Sequence, residues 1–220
     1  MDSVRIALIL ALSAAAVPLA GSLVFLAIFL PLTLRSAILL GPFGATRVDG
    51  LATLEEAISF VKASGGTELE RAELALSIAA RKFRYSRRNP WDGPARCFER
   101  GYGYCVQQAR ALEALYEGLG IECRLVQAFK VRYGRMEIHG KTVQGGVSGH
   151  MWLRARIDGM EYDVCPGDPS NRPGRLAFLP LSKVRSVPLA FLPILHLFSA
   201  AENARRDLPN LLRRVSHEGC

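Results

Sequence analysis

Gly101-Tyr102-Gly103-Tyr104-Cys105-Val106-Gln107-Gln108-Ala109-Arg110-Ala111-Leu112, followed by Leu119-Gly120-Ile121-Glu122-Cys123-Arg124-Leu125-Val126, is the stretch that decides the fold. Ala109, Leu112 and Leu115-Tyr116 recur at helical spacing, so a helix begins near Cys105 and ends at Gly118-Leu119-Gly120. An apolar strand follows from Ile121 to about Val131. A cysteine therefore opens a helix, behind two glycines that let the backbone turn tightly and leave the sulfur accessible. The second informative phrase lies 45 residues after Cys105: Gly149-His150-Met151-Trp152-Leu153-Arg154-Ala155-Arg156-Ile157-Asp158-Gly159. His150 opens a strand that runs to Ile157, and Asp158-Gly159 is a strong two-residue hairpin signal. The return strand is Met160 to Cys165, ended by Pro166-Gly167. A two-residue turn sets Ile157 opposite Met160, Arg154 opposite Asp163 and Trp152 opposite Cys165.

Upstream, Thr53-Leu54-Glu55-Glu56 and Thr67-Glu68-Leu69-Glu70 each have the form of a capping box. The first helix carries Leu54, Ile58 and Val61 on one face and stops at Gly65-Gly66. The second runs to about Phe83, with Leu69, Ala72, Leu76 and Ala79 at helical spacing. These stripes are core. Residues 86–104, rich in Pro and Gly, read as a loop, and a Gly-rich connection joins the Ile121 strand to His150. The expected class is α+β, with no internal repeat and no low-complexity tract.

A free thiol, with a pKa near 8.5, is mostly protonated at neutral pH. At the start of a helix, unpaired backbone N–H groups and the positive end of the dipole favour the thiolate. The same N–H groups can hold an oxyanion when a carbonyl is attacked. A neighbouring imidazole supplies the base. Taken singly, Cys105 reads as a buried helix cysteine and His150 as a strand-edge histidine. Taken together, they form a candidate nucleophile and base.

In order and phrasing these elements resemble the transglutaminase-like superfamily. There, a Cys begins a helix that ends in a phrase like Leu-Gly-Ile-Pro-Ala-Arg-Leu-Val, matched by residues 119–126, and a His-x-Trp strand follows, matched by His150-Met151-Trp152. The resemblance covers about residues 69–170. It implies a papain-like core, a helix bearing Cys105 packed on an antiparallel sheet, and a Cys-His-Asp triad acting on amide bonds. The third member departs from the family pattern. An ungapped match to arylamine acetyltransferases, which share the Ile-Asp-Gly turn, puts their Asp at Cys165. Asp163 lies on the expected face, two residues toward the turn, and is taken as the third catalytic residue. Asp168 is the alternative and needs a bulge at Pro166-Gly167. A plainer role for Asp163 is a cross-strand ion pair with Arg154.

The formal charge of +8 fits anionic lipid as well as nucleic acid. No zinc finger, RNP word or basic–aromatic alternation is present, so nucleic acid is not an expected partner. The five cysteines, Cys97, Cys105, Cys123, Cys165 and Cys220, form no CxxC pair and no disulfide scaffold. Cys97 and Cys105 could pair in an oxidising compartment, and Cys123 reads as a small buried strand residue. Cys105, His150 and Cys165 lack local metal-ligand spacing, so no metal or other cofactor is expected. His139 reads as solvated beside the cleft, and Trp152 as core or cleft wall. The cations Arg81, Lys82, Arg84, Arg87 and Arg88 read as a solvated face.

Between Arg5 and Arg35 there are 29 positions without a charge, more than the roughly 20 a spanning helix needs. A cleaved signal peptide would leave an apolar stub through Leu30, so a retained anchor is the reading adopted. Residues 1–40 are thus assigned to a membrane anchor, 50–175 to the catalytic domain, and 176–220 to an apolar then basic amphipathic tail. The expected function is a membrane-anchored thiol hydrolase or acyltransferase acting on a peptide or protein. The competing expectation is a membrane-tethered binding or scaffold module that keeps the fold without the chemistry.

Overall fold

Both capping boxes form. Thr53 Oγ1 accepts from the Glu56 N–H at 3.1 Å, and the Glu56 carboxylate accepts from the Thr53 N–H at 3.1 Å, launching α1 (Leu54–Ala63). Thr67 and Glu70 repeat the exchange at 3.2 and 2.8 Å for α2 (Glu68–Lys82). Each box satisfies two otherwise orphaned donors, and a capping side chain of this kind is worth about 1 kcal/mol. In the computed structural model, residues 46–86, 91–134, 136–138, 141–143, 145–193 and 195–196 are described. All belong to one unit, Pro42–His196. The N-terminal apolar run, His139 and the tail beyond residue 196 lie outside the described residues.

The segment expected to be loop, residues 86–104, holds a helix and a short strand, and that strand pairs with one just ahead of the segment. Strand β1 (Arg84–Tyr85) pairs in parallel with β2 (Tyr102–Gly103), and between them lies helix α3 (Pro94–Arg100). Gly93 is the N-cap of α3, Pro94 its first residue, and Gly101 ends it in the left-handed region at φ 69°. Proline and glycine here punctuate the two ends of a seven-residue helix. Gly101 is needed for space as well: a Cβ there would meet Thr46 Oγ1 at 2.2 Å.

Helix α4 (Cys105–Gly118) is central. Its Ala109, Leu112, Leu115 and Tyr116 are buried against α2 and the sheet. The Tyr116 hydroxyl donates to the buried Ala72 carbonyl at 3.0 Å, tying α4 to α2. The alanine face of α2 (Ala72, Ala75, Ala79) leaves room for that approach. The Gly-rich connection contains a small hairpin, β4 (Met136–Ile138) with β5 (Lys141–Val143).

The main sheet is antiparallel. Its strands are β3 (Cys123–Tyr133), β6 (Val147–Ile157), β7 (Met160–Val164) and β8 (Phe178–Pro180), in the order β7-β6-β3-β8. Strand β9 (Arg185–Ser186) also pairs with β3. At the β6–β7 turn Asp158 and Gly159 have φ of 49° and 79°, the two positive angles of a type I′ turn. Ile157 pairs with Met160 and Arg154 with Asp163, the register expected from the sequence. Strand β6 begins three residues earlier than expected, at Val147.

Alternation divides the sheet between two cores. Leu125, Met151, Leu153, Ala155 and Ile157 join the helices in the main core. Val126, Ala128, Val131, Trp152 and Cys165 form a second core on the opposite face. His150 shares that second face with Trp152. The tail turns back onto the domain: Val187 is buried and Leu192 and Leu195 pack on the main core.

Candidate active site

Cys105 is the first residue of α4 and sits half-buried. Its helix start is organised by neighbours. The Tyr104 N–H donates to Gln107 Oε1 at 3.4 Å, and the Gln108 side-chain amide donates to the Gly103 carbonyl at 2.9 Å. The Tyr104 hydroxyl meets His196 Nδ1 at 2.7 Å, so the returning tail also touches this helix start. Cys97 does not pair with Cys105. Its buried thiol donates to the Tyr102 carbonyl at 3.1 Å, and burial pushes its pKa up to about 12.

His150 is enclosed by aromatic rings. It stacks on Trp152 with centroids 5.9 Å apart, and meets the edges of Phe178 at 4.8 Å and Tyr133 at 5.6 Å. Burial pushes its pKa down to about 4, so the ring is neutral at physiological pH. His150 Nε2 lies 3.3 Å from Cys165 Sγ. That sulfur also accepts from the Gly167 N–H at 3.4 Å. Burial pushes the Cys165 thiol up to about 12, and the nearby Cys105 and Asp168 charges add to the rise. Cys105 and Cys165 likewise add to the upward push that burial gives the Tyr133 hydroxyl. Cys105, Tyr133, His150 and Cys165 therefore share one neighbourhood, with the histidine against the second cysteine.

The two carboxylates singled out from the sequence are engaged elsewhere. Asp163 accepts from Arg154 Nε at 2.8 Å and from Nη2 at 3.1 Å. The register sets it directly opposite Arg154, two residues toward the turn from Cys165. One pleat repeat of about 6.8 Å separates it from the position beside His150. Asp168 Oδ1 accepts from the Ser170 N–H at 2.8 Å and the Ser170 hydroxyl at 2.6 Å, closing a turn in the loop after β7. Among the described residues neither carboxylate hydrogen-bonds to His150. The sequence expectation placed Asp163 beside His150; among the described residues it is Cys165 that lies within hydrogen-bond reach of the ring.

Asn171 is a residue that pattern reading missed. It is buried, donates to the Cys165 carbonyl at 2.8 Å and accepts from the Ala177 N–H at 2.7 Å. It thereby pins both ends of the loop that carries Cys165 toward Phe178. Its sequence signal was slight: an asparagine between Pro169 and Pro173, with nothing to mark it as buried. Trp152 forms the wall behind His150 as expected, fully buried, with an indole N–H that meets no partner among the described residues.

The assignment of Asp163 has a direct check. Asp163→Asn breaks a partly exposed ion pair, whose loss is worth at most about 1 kcal/mol. Thermal denaturation should show that small loss, while alkylation of Cys105 stays within about twofold of the parent rate. A fall of a hundredfold in alkylation would restore Asp163 to the site.

The family model described as Transglutaminase-like superfamily matches residues 58–164. This part of the chain is a transglutaminase-like domain, built as a mixed helical layer on an antiparallel sheet. Two solved structures are similar to it. One is an inferred cysteine protease from Cytophaga hutchinsonii, 12% identical, covering 61% of this chain and 49% of that one, at a TM-score of 0.33. The other is an inferred protease from Parabacteroides distasonis, 13% identical, covering 66% of this chain and 33% of that one, at a TM-score of 0.32. The chain thus spans about half the length of the first and a third of the second. No curated protein matches the chain.

Proposed function

We propose that this domain is a cysteine enzyme of the peptidase or acyltransferase kind, tethered to a membrane through the apolar run between Arg5 and Arg35. The observation that carries the reading is Cys105 at the first position of α4, in one neighbourhood with a neutral, enclosed His150. In the tautomer with its hydrogen on Nε2, His150 donates to Cys165 Sγ and its Nδ1 lone pair is the one that takes a proton. The Cys105 thiol loses its proton to Nδ1, and the thiolate attacks an amide or peptide carbonyl carbon. First-turn N–H groups of α4 supply donors for the oxyanion. As the tetrahedral intermediate collapses, the C–N bond breaks and the leaving amine takes the proton from His150. Water or a second amine then attacks the thioester carbonyl, and the sulfur leaves as the regenerated thiol.

The reading makes a specific demand on thiol reactivity. Cys97, Cys123 and Cys165 are all pushed up to about 12 by burial, so each stays protonated at pH 8. Iodoacetamide labelling followed by peptide mass spectrometry should find Cys105 modified at least ~10-fold faster than these three. His150→Gln should slow Cys105 labelling at least ~10-fold without changing the far-UV spectrum. Labelling of Cys105 at the same rate in both proteins would leave it merely accessible, and would count for the second reading.

That second reading is a tethered binding module. What favours it is the neutral thiol beside His150 where a carboxylate would stabilise an imidazolium. Among the described residues no carboxylate hydrogen-bonds to the His150 ring to assist proton transfer. The two readings part company over Cys165.

A further inference from the structure

Among the described residues, the helix-bearing face of the sheet has a set of exposed apolar side chains at one end. Arg132 of β3 pairs with Val147 on one side and with Leu179 of β8 on the other, so the three side chains share a face and form one row. The next row holds Lys130, whose carbonyl accepts from the Leu181 N–H. Between Ala128 and Val131 the register slips, so that Phe129 and Lys130 both oppose Gly149, the bulge turning them to the same side. Further along this face Met151 and Leu153 are buried under the helices. Here, by contrast, Phe129 is 66% exposed, Val147 58%, Leu179 57% and Leu181 41%. Lys130 and Arg132, also exposed, stand among them.

We infer that this face is a membrane-contact surface whose occupant is the headgroup layer of an anionic lipid bilayer. Aliphatic and aromatic side chains on a strand-built plate, interspersed with Lys and Arg, match an interface that is apolar below and negative above. The two cations argue against burial beneath a purely apolar protein partner, because both would have to be desolvated. The sequence supplies a second argument. Only residues 36–45 separate the apolar run and its flanking Arg35 from Thr46, the first described residue. Fully extended, ten residues reach about 35 Å, so a tethered domain stays at the bilayer and must turn some face toward it.

This inference rests on the tether proposed above, and it gives the site a substrate geometry. Val147 and His150 are three residues apart on β6, about 10 Å, with their side chains on opposite faces of the sheet. Docking through the Val147 face would keep this end of β6 near the headgroups, with the His150 face turned away from the lipid. The class of acyl donor it selects is then a peptide segment presented at the membrane surface.

The test uses the full chain, reconstituted in vesicles of phosphatidylcholine with and without phosphatidylglycerol, and carries Leu179→Trp or Met160→Trp. Met160 is equally exposed but sits at the β6–β7 turn, at the far end of β6. After subtraction of the parent signal, Leu179→Trp emission should shift to the blue in phosphatidylglycerol vesicles and be quenched at least ~twofold by dibrominated acyl chains. Met160→Trp should show neither effect, and adding Lys130→Glu with Arg132→Glu should abolish the Leu179→Trp response. If the chain floats with vesicles but Leu179→Trp is unquenched, the face is not the contact and the inference falls while the tether stands. If the chain does not float at all, the tether and the inference fall together. A blue shift that is unquenched and disappears on dilution would instead assign the face to a second copy of the chain. Cys105 labelling, measured in the same samples, reports on the proposed chemistry separately.

Discussion

Cys165→Asp is expected to raise the rates of Cys105 alkylation and acyl transfer by at least ~10-fold at neutral pH, equivalent to about 1.4 kcal/mol of barrier. His150 Nε2 lies 3.3 Å from Cys165 Sγ. In the parent protein that contact is between two neutral groups, because burial lowers the histidine and raises the thiol. When His150 takes a proton it becomes a buried cation with no carboxylate hydrogen-bonded to it among the described residues. A carboxylate in place of Sγ would favour the imidazolium and move the His150 pKa up from about 4 toward its ordinary range. The Gly167 N–H, already directed at Sγ, would help keep the carboxylate ionised. A cost in stability of about 1–3 kcal/mol accompanies the added buried charge. Cys165→Ser separates charge from shape: it keeps an acceptor of similar size and should leave the rate within about threefold. Both variants are read by stopped-time alkylation and by turnover of a peptide amide. A folded Cys165→Asp protein no faster than its parent would mean that the site lacks more than a charge, and would favour the binding module.

What the sequence revealed about this site follows the physics of short-range signals. The two Thr-x-x-Glu boxes declared their helices because capping is a local hydrogen-bond exchange within four residues. Asp158-Gly159 fixed the β6–β7 register for the same reason, since a type I′ turn leaves no freedom in which residues face each other. That register also exposed the absence of a carboxylate opposite Trp152. It could not reveal how strongly Arg154 holds Asp163, because two residues facing each other can pair or diverge according to their other neighbours. Helix α3 was missed because its proline and glycines read as breakers when they are caps. Phe178, Tyr133 and Asn171 were missed because they reach His150 or Cys165 from distant parts of the chain, through a bulge and a loop that no local period encodes.

The enclosed histidine should also govern how stability responds to acid, with a loss of up to about 3 kcal/mol as pH falls from about 7.5 to 4. His150 is held near 4 in the folded chain, against about 6.5 when unfolded. Between those values the unfolded chain binds a proton that the folded chain does not. The contribution is therefore fully present above about 6.5 and is lost as pH falls toward 4. The span from about 6.5 down to about 4, at 1.36 kcal/mol for each tenfold in proton affinity, sets the ceiling. The polar neighbours Cys165 and Tyr133 stay neutral through this window, since burial pushes both upward. His196, also lowered by burial, contributes with the same sign, and Glu113, raised by burial, with the opposite sign. The measurement is thus a difference: urea denaturation across this pH range for the parent and for His150→Gln, which retains polarity but does not titrate. The parent should lose more stability than the variant, and the gap should open between pH 6.5 and 4. Curves that run parallel would mean that His150 is hydrated in the folded chain and free to titrate normally. In Cys165→Asp the same gap should shrink or reverse, because a charged histidine would then be the form the fold prefers.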